Sequence, residues 1–363
     1  MPEGTPRGDR EYMAQDNQSP QVPSRLTLSG PSDILAAVPY IVGYHPNDTL
    51  LVLGLRGDAP RLHTTFCRDL AADGADDDRE EAADRLAAAL RDEGCTVALA
   101  VGYGPAGAVT RNVDALRRAA ARAGVALREA LRVSEGRYWS YTCTSPECCP
   151  PEGVAYDPSS SAVAAAAVAN GLSAWPSRES IRDHLAPAVG PRRALMRAAT
   201  RAAEERAARL CAPGHRGRDA YGPRFRVEGA RAVRAAADAA ACGELPEDPG
   251  HIAWLGVLLE CVRVRDEAWC LIGPDTAEAH QRLWRHVLCH CEPGYRAAPG
   301  SLLAVAAWAR GDTALADAAL ERVRRSDPDY SMAALVHRAL RAGLPWRGYP
   351  PASLQAAWPL EDP

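Results

Sequence analysis

The sequence contains no lysine: all 42 of its strongly basic side chains are arginine. That absence removes whole classes of chemistry. A phosphate-binding loop of the G-x-x-x-x-G-K-[ST] type needs its lysine to reach the phosphates. A Schiff-base enzyme needs a lysine amine, and the protein-kinase and β-lactamase signatures need theirs. Together with abundant Ala, Gly, Pro and Arg, the missing lysine reads as a GC-rich bacterial coding sequence.

Other absences narrow the field further. The most apolar-looking run, residues 162–169, is short and mostly alanine, so no membrane span is expected. The N-terminus lacks the apolar segment of a signal peptide. No G-x-S-x-G elbow, H-E-x-x-H helix or deaminase signature occurs, which counts against the common hydrolases. The net charge of −4 over 363 residues gives no general reason to expect a membrane or nucleic-acid partner. The expectation is a cytoplasmic protein whose 11 cysteines are thiols rather than a disulfide framework.

What is present divides into two halves. Residues 1–25 are polar, with almost nothing to bury, and read as a disordered tail. A helix follows over 33–42, with Ser32 placed to cap it. The apolar run TLLVLGL at 49–55 suits a central strand, and 61–69 returns from a Gly/Asp/Pro turn as the other arm of a hairpin. The acidic run at 73–81 opens a helix to about residue 93, its acids read as a solvated first turn rather than a metal loop. CTVALAV at 95–101 is a buried strand. A helix over 108–123 carries Val109, Val113, Leu116 and Ala120 on one stripe, and 127–133 is the next strand. Beyond residue 157 strand propensity fades and Ala-rich helices follow one another. The expected fold class is therefore α/β followed by all-α. A mixed, partly antiparallel sheet with helices occupies 26–156, a helical domain 157–345 and a Pro-rich tail 346–363. Gly311, Ala316, Leu320 and Pro328 match part of a tetratricopeptide repeat, so tetratricopeptide-like hairpins are expected at its end, an ordinary αα-hairpin being the plainer reading.

The most unusual chemistry lies at 137–153, RYWSYTCTSPECCPPEG. An aromatic strand runs into Cys143, Cys148 and Cys149, and two consecutive prolines stop the loop. Structural zinc prefers four ligands in C-x2–4-C pairs; here there are three thiols, two of them adjacent. A zinc site, a disulfide or redox pair, and packed thiols in a rigid loop all remain open. Cys95 is the candidate fourth ligand. No histidine lies near in sequence to activate a thiolate, so nucleophilic chemistry is not expected there.

PYIVGYHPNDTLLVLGLRG at 39–57, VGYGP at 101–105 and the cysteine stretch resemble an uncharacterised actinobacterial family, the domain of unknown function 4192. So do RVRDEAW at 263–269 and AAWARGDTALADAALERVRRSDPDYS at 306–331. The resemblance spans residues 26–344 and implies no activity, substrate or catalytic residues.

Several motifs have a functional and a plain reading. Gly102-x-Gly104-x-x-Gly107 matches a dinucleotide fingerprint, with Glu129 at a ribose-contact distance in sequence, but Pro105 removes a donor and a tight strand–helix turn is favoured. His286 and His290 lie one helical turn apart, as metal ligands can, yet read as surface histidines. Residues 192–226 carry ten arginines against three acids, read as a solvated helix and loop rather than a nucleic-acid surface. Arg265 and Asp266 beside Trp269 read as interhelical glue.

Strand directions place a candidate site. The hairpin makes 49–55 antiparallel to 61–69, and helical crossovers make 61–69, 96–101 and 127–133 parallel. His45, Asn47, Asp48, Arg68, Asp69, Gly102, Tyr103, Gly104, Glu135 and Arg137 should then share one rim, with Cys95 and Cys143 on the other. Open α/β sheets bind ligands outside the carboxyl ends of their strands. The rim suits a small anionic or phosphorylated ligand, against the plainer reading that His45 and Asp48 cap the turn at Pro46. Two functions follow: a small-ligand-binding or regulatory protein whose helices offer a surface to a protein partner, or an enzyme using His45, Asp48 and Arg137 or the cysteines.

Overall fold

The computed structural model describes residues 30–70, 76–158, 161–211, 221–342, 344 and 346. The tail expected at 1–25, most of the Pro-rich tail at 346–363 and part of the Gly/Arg loop lie outside the described residues.

The first half is a six-stranded mixed sheet in the order β2-β1-β3-β4-β5-β6. Its strands are β1 (Thr49–Arg56), β2 (Arg61–Asp69), β3 (Val97–Tyr103), β4 (Ala126–Ser134), β5 (Arg137–Ser140) and β6 (Val154–Ala155). Only β3 and β4 pair in parallel; the other neighbours are antiparallel. β1 is buried along its first six residues because both sheet faces are covered. Alternation sends Leu50 and Val52 to one face, against α2 (Asp76–Asp92) and α3 (Ala106–Ala123). It sends Leu51 and Leu53 to the other, against Ile34, Leu35 and Val38 of α1 (Pro31–Val42). The edge strand β2 is mostly exposed and carries Arg61, His63 and Arg68, charges of the kind that discourage edge-to-edge pairing.

Two sequence expectations shift. Ser32 does not cap α1; Gly30 is the N-cap and Pro31 opens the helix, where its missing N–H costs nothing. β3 starts later than expected, so Cys95 precedes the strand while Gly102 and Tyr103 belong to it. The two-residue β6 is too short for any periodicity to reveal.

The second half contains α4 (Ala162–Ala169), α5 (Arg178–His184), α6 (Pro191–Leu210), α7 (Pro223–Ala241), α8 (Pro249–Leu258), α9 (Val262–Cys270), α10 (Ala277–His290), α11 (Ala297–Ala309), α12 (Thr313–Ser326) and α13 (Ser331–Arg341). α4 packs back on α1 through Val163, Ala36 and Ala37. The later helices surround one core in which Trp284, Phe225, Leu302 and Leu320 are fully buried. α11 is buried along nearly its whole length, and its alanines let α10 and α12 approach from two sides. The short turn between α11 and α12 makes them antiparallel neighbours.

A strip of backbone at Trp175 also joins the halves. Trp175 donates its N–H to the carbonyl of Gly43 at 2.8 Å and accepts from His45 at 2.9 Å. Its indole donates to Asp312, the N-cap of α12, at 3.1 Å.

Candidate functional site

The strand directions bring the expected rim together. Thr49 pairs with Asp69 and with Tyr103, Tyr103 with Val133, and Ser134 with Arg137. His45, Asn47 and Asp48 enter that edge just ahead of Thr49, and all three are exposed. Asp48 has a left-handed backbone (φ 45°), and its carbonyl accepts from the Leu70 N–H at 2.8 Å. A Cβ on Gly104 would lie 3.3 Å from the Asp48 carboxylate, so the two residues touch across the rim. Asn47 turns its carbonyl to the Thr49 hydroxyl at 2.7 Å.

The arginines of the rim already have work. Arg68 donates to the Asn112 side chain of α3, and Arg137 donates to the Gly153 carbonyl at 2.8 Å. Among the described residues no hydrogen bond joins His45 to Asp48. Gly102 has a packing reason: a Cβ there would sit 2.3 Å from Val109. Glu129 pairs mid-strand with Leu99, and its carboxylate accepts from Ser140 and Thr142, away from the rim. Tyr103 turns into the core beneath α1, where burial raises its pKa and its hydroxyl has no partner among the described residues.

Beside the rim, a cavity of about 510 Å³ opens between the β2 edge and the helical half, lined by Tyr44, Cys67, Arg178, Arg182, Arg324 and Arg341 among others. A second, of about 320 Å³, continues along α12 and holds Arg182, Arg296, Arg322 and Arg325. Both include Arg182, Ala318 and Glu321, so they form one furrow. Among its described lining residues, seven arginines stand against two carboxylates, Asp317 and Glu321. Arg178 spans the halves, reaching Asp69 of β2 at 3.4 Å and Glu321 of α12 at 4.0 Å. Arg325 pairs with Glu321 at 3.6 Å. The Arg322 Nη2 is buried with no acceptor among the described residues. Burial holds the Arg322 guanidinium below its usual pKa; Cys289 opposes that shift, and Arg296 and then Arg325 add to it more weakly. The sequence offered one faint trace of this furrow, the RVRR run at 322–325; the other arginines come from three separate segments.

In the cysteine loop the structure gathers three of the four expected thiols. The sulfurs of Cys143, Cys148 and Cys149 lie within 4.8 Å of one another. Cys95 is outside the group. It is buried beneath the sheet, and its sulfur lies 2.8 Å from where a Cβ on Gly54 would stand. The Ser145 N–H and the Cys149 thiol lower the Cys143 pKa, while desolvation and its thiol neighbours raise that of Cys149.

The remaining motifs make contacts within the fold. His286 bonds the Pro246 carbonyl at 2.9 Å and His290 bonds the His286 carbonyl at 2.8 Å. Both rings are half-buried rather than lying free on the surface. Arg265 grips Asp266 at 2.7 Å, but the ring it faces is Tyr330 rather than Trp269. Within the Arg-rich segment Arg206 stacks on Trp254 and pairs with Glu228. No described helix is long and apolar enough to cross a membrane.

A family model described as Domain of unknown function (DUF4192) matches residues 31–346. No curated protein and no solved structure matches the chain.

Proposed function

The chain belongs to the DUF4192 family, and from that premise we propose that it is a binding protein which takes a small anionic ligand in the arginine furrow between its halves. One observation carries the reading: among the described residues Arg322 has no acid partner, and it shares its cavity with Arg296 and Arg325 against the single carboxylate Glu321, which Arg325 and Arg178 already engage. An unpaired buried cation costs stability, and arginine's planar fork suits carboxylate and phosphate oxygens. An anion among Arg296, Arg322 and Arg325 would relieve the repulsion between them. Arg178 already bridges β2 and α12, so a ligand beside it would also tie the two halves together, which is how binding would be passed on to a protein partner. A reducing compartment, the cytoplasm, completes the reading, because neighbouring thiols such as the exposed Cys148 and the half-buried Cys149 persist as thiols there.

The test is thermal unfolding with inorganic phosphate and with citrate, against chloride at equal ionic strength. Either anion should raise the wild-type melting temperature, since a ligand at a hundredfold excess over its Kd adds about 2.7 kcal/mol. Arg322→Leu should abolish the shift. An equal shift in Arg322→Leu, or none in the wild type with either anion, would overturn the proposal.

A further inference from the structure

We propose that Cys143, Cys148 and Cys149 form a zinc site of three thiolates whose fourth position is open to water. It stands apart from the furrow and does not depend on it.

Zinc binds thiolate sulfur at about 2.3 Å in tetrahedral geometry, which sets ligand sulfurs about 3.8 Å apart. Cys148 and Cys149 already stand 3.9 Å apart, and the whole trio falls within 4.8 Å. Convergence to ligand spacing therefore needs only a small closing movement. A packing role fits poorly. Free cysteines that merely fill space are among the most buried residues, yet Cys148 is exposed and the other two are only half-buried.

The loop is also held from outside, as metal loops are. Arg137 donates to the Gly153 carbonyl at 2.8 Å, and the Trp139 indole donates to the Pro151 carbonyl at 2.9 Å. Arg132 stacks over Trp139, 3.4 Å from its ring centre. Gly153 has φ 80°, and a Cβ there would lie 2.5 Å from the Trp139 ring, so only glycine closes the loop. The Cys143 N–H donates to Ser140 Oγ at 3.0 Å, and that hydroxyl donates to Glu129 at 2.8 Å. Glu129 and Arg137, singled out for other roles, thus brace the cysteine loop.

No fourth His, Cys, Asp or Glu joins the group among the described residues. Three protein ligands and a water is the arrangement of zinc sites that accept an exogenous ligand, whereas closed sites carry four. As each sulfur donates a lone pair to the cation its thiol proton passes to solvent, so binding tightens as pH rises.

Cobalt(II) titration of the reduced full-length chain tests this. One equivalent should bind, with tetrahedral visible bands and sulfur-to-cobalt charge-transfer absorption that zinc abolishes on displacing it. Cys143→Ser, Cys148→Ser and Cys149→Ser should each lose that spectrum, and Cys95→Ala should keep it. Arg137→Ala should weaken zinc about tenfold or more in competition with a chromophoric chelator. Melting temperatures of the metal-free variants separate lost metal from lost fold. Failure to bind cobalt, a spectrum unchanged in Cys148→Ser, or a disulfide within the trio that resists reductant would overturn the assignment.

Discussion

Across α2 and α3 of the α/β half, Arg118 meets Glu80 and Arg122 meets Asp84. Along α12 in the helical half, Arg296, Arg322 and Arg325 share a cavity in which Glu321 is the only carboxylate among the described lining residues. Both regions belong to a chain whose only strong base is arginine, so composition alone cannot account for the difference. Between α2 and α3 each of these arginines has its own acid opposite. Among the described residues Arg322 has none, at a partly buried position where a missing partner is costly. Two buried polar groups show the opposite contrast. His280 in the helical core is paired, accepting from the Trp284 indole at 3.1 Å, whereas the Tyr103 hydroxyl in the α/β core has no partner among the described residues.

Four measurements would sharpen or break this contrast. The largest effect should come from acid. Burial lowers the His280 pKa to about 4 from an unfolded value of 6.5. The unfolded chain therefore binds the extra proton first. The contribution is complete above pH 6.5, is lost as pH falls toward 4, and reaches about 3 kcal/mol. Denaturant melts of wild type and His280→Gln across that window should differ by this slope; parallel curves would mean that His280 protonates freely in the fold.

Next comes Arg322→Leu in the absence of ligand. Removing an unpaired cation should stabilise the protein by about 1 kcal/mol, read as a higher denaturant midpoint at unchanged m-value. A loss of stability would reveal a partner for Arg322 and close the furrow as a site. Tyr103→Phe deletes an unsatisfied hydroxyl and should be neutral or stabilising by up to about 1 kcal/mol. A loss of 1 kcal/mol or more would show that the hydroxyl is bonded. The smallest effect belongs to Arg118→Ala, which breaks an exposed pair with Glu80 and should change stability by about 0.5 kcal/mol or less, less still at high salt.

The sequence by itself determined the two-part architecture, the central burial of 49–55, the strand directions and the rim those directions create. These depend on local periodicity and on connection length, which a single chain displays directly. It also marked 143–149 as unusual, because three thiols before two prolines are close in sequence as well as in space. Tertiary structure alone decided that Cys95 stands apart from that trio, since its sulfur is buried beneath the sheet near Gly54. It also decided that Arg137 holds a loop instead of lying free on the rim. The furrow was illegible for the same reason. Arg178, Arg182, Arg296 and Arg322 come from α5, the start of α11 and α12, and only the packing of α12 on α11 and α5 brings their charges together. No pattern of period two or 3.6 encodes a meeting between segments more than a hundred residues apart.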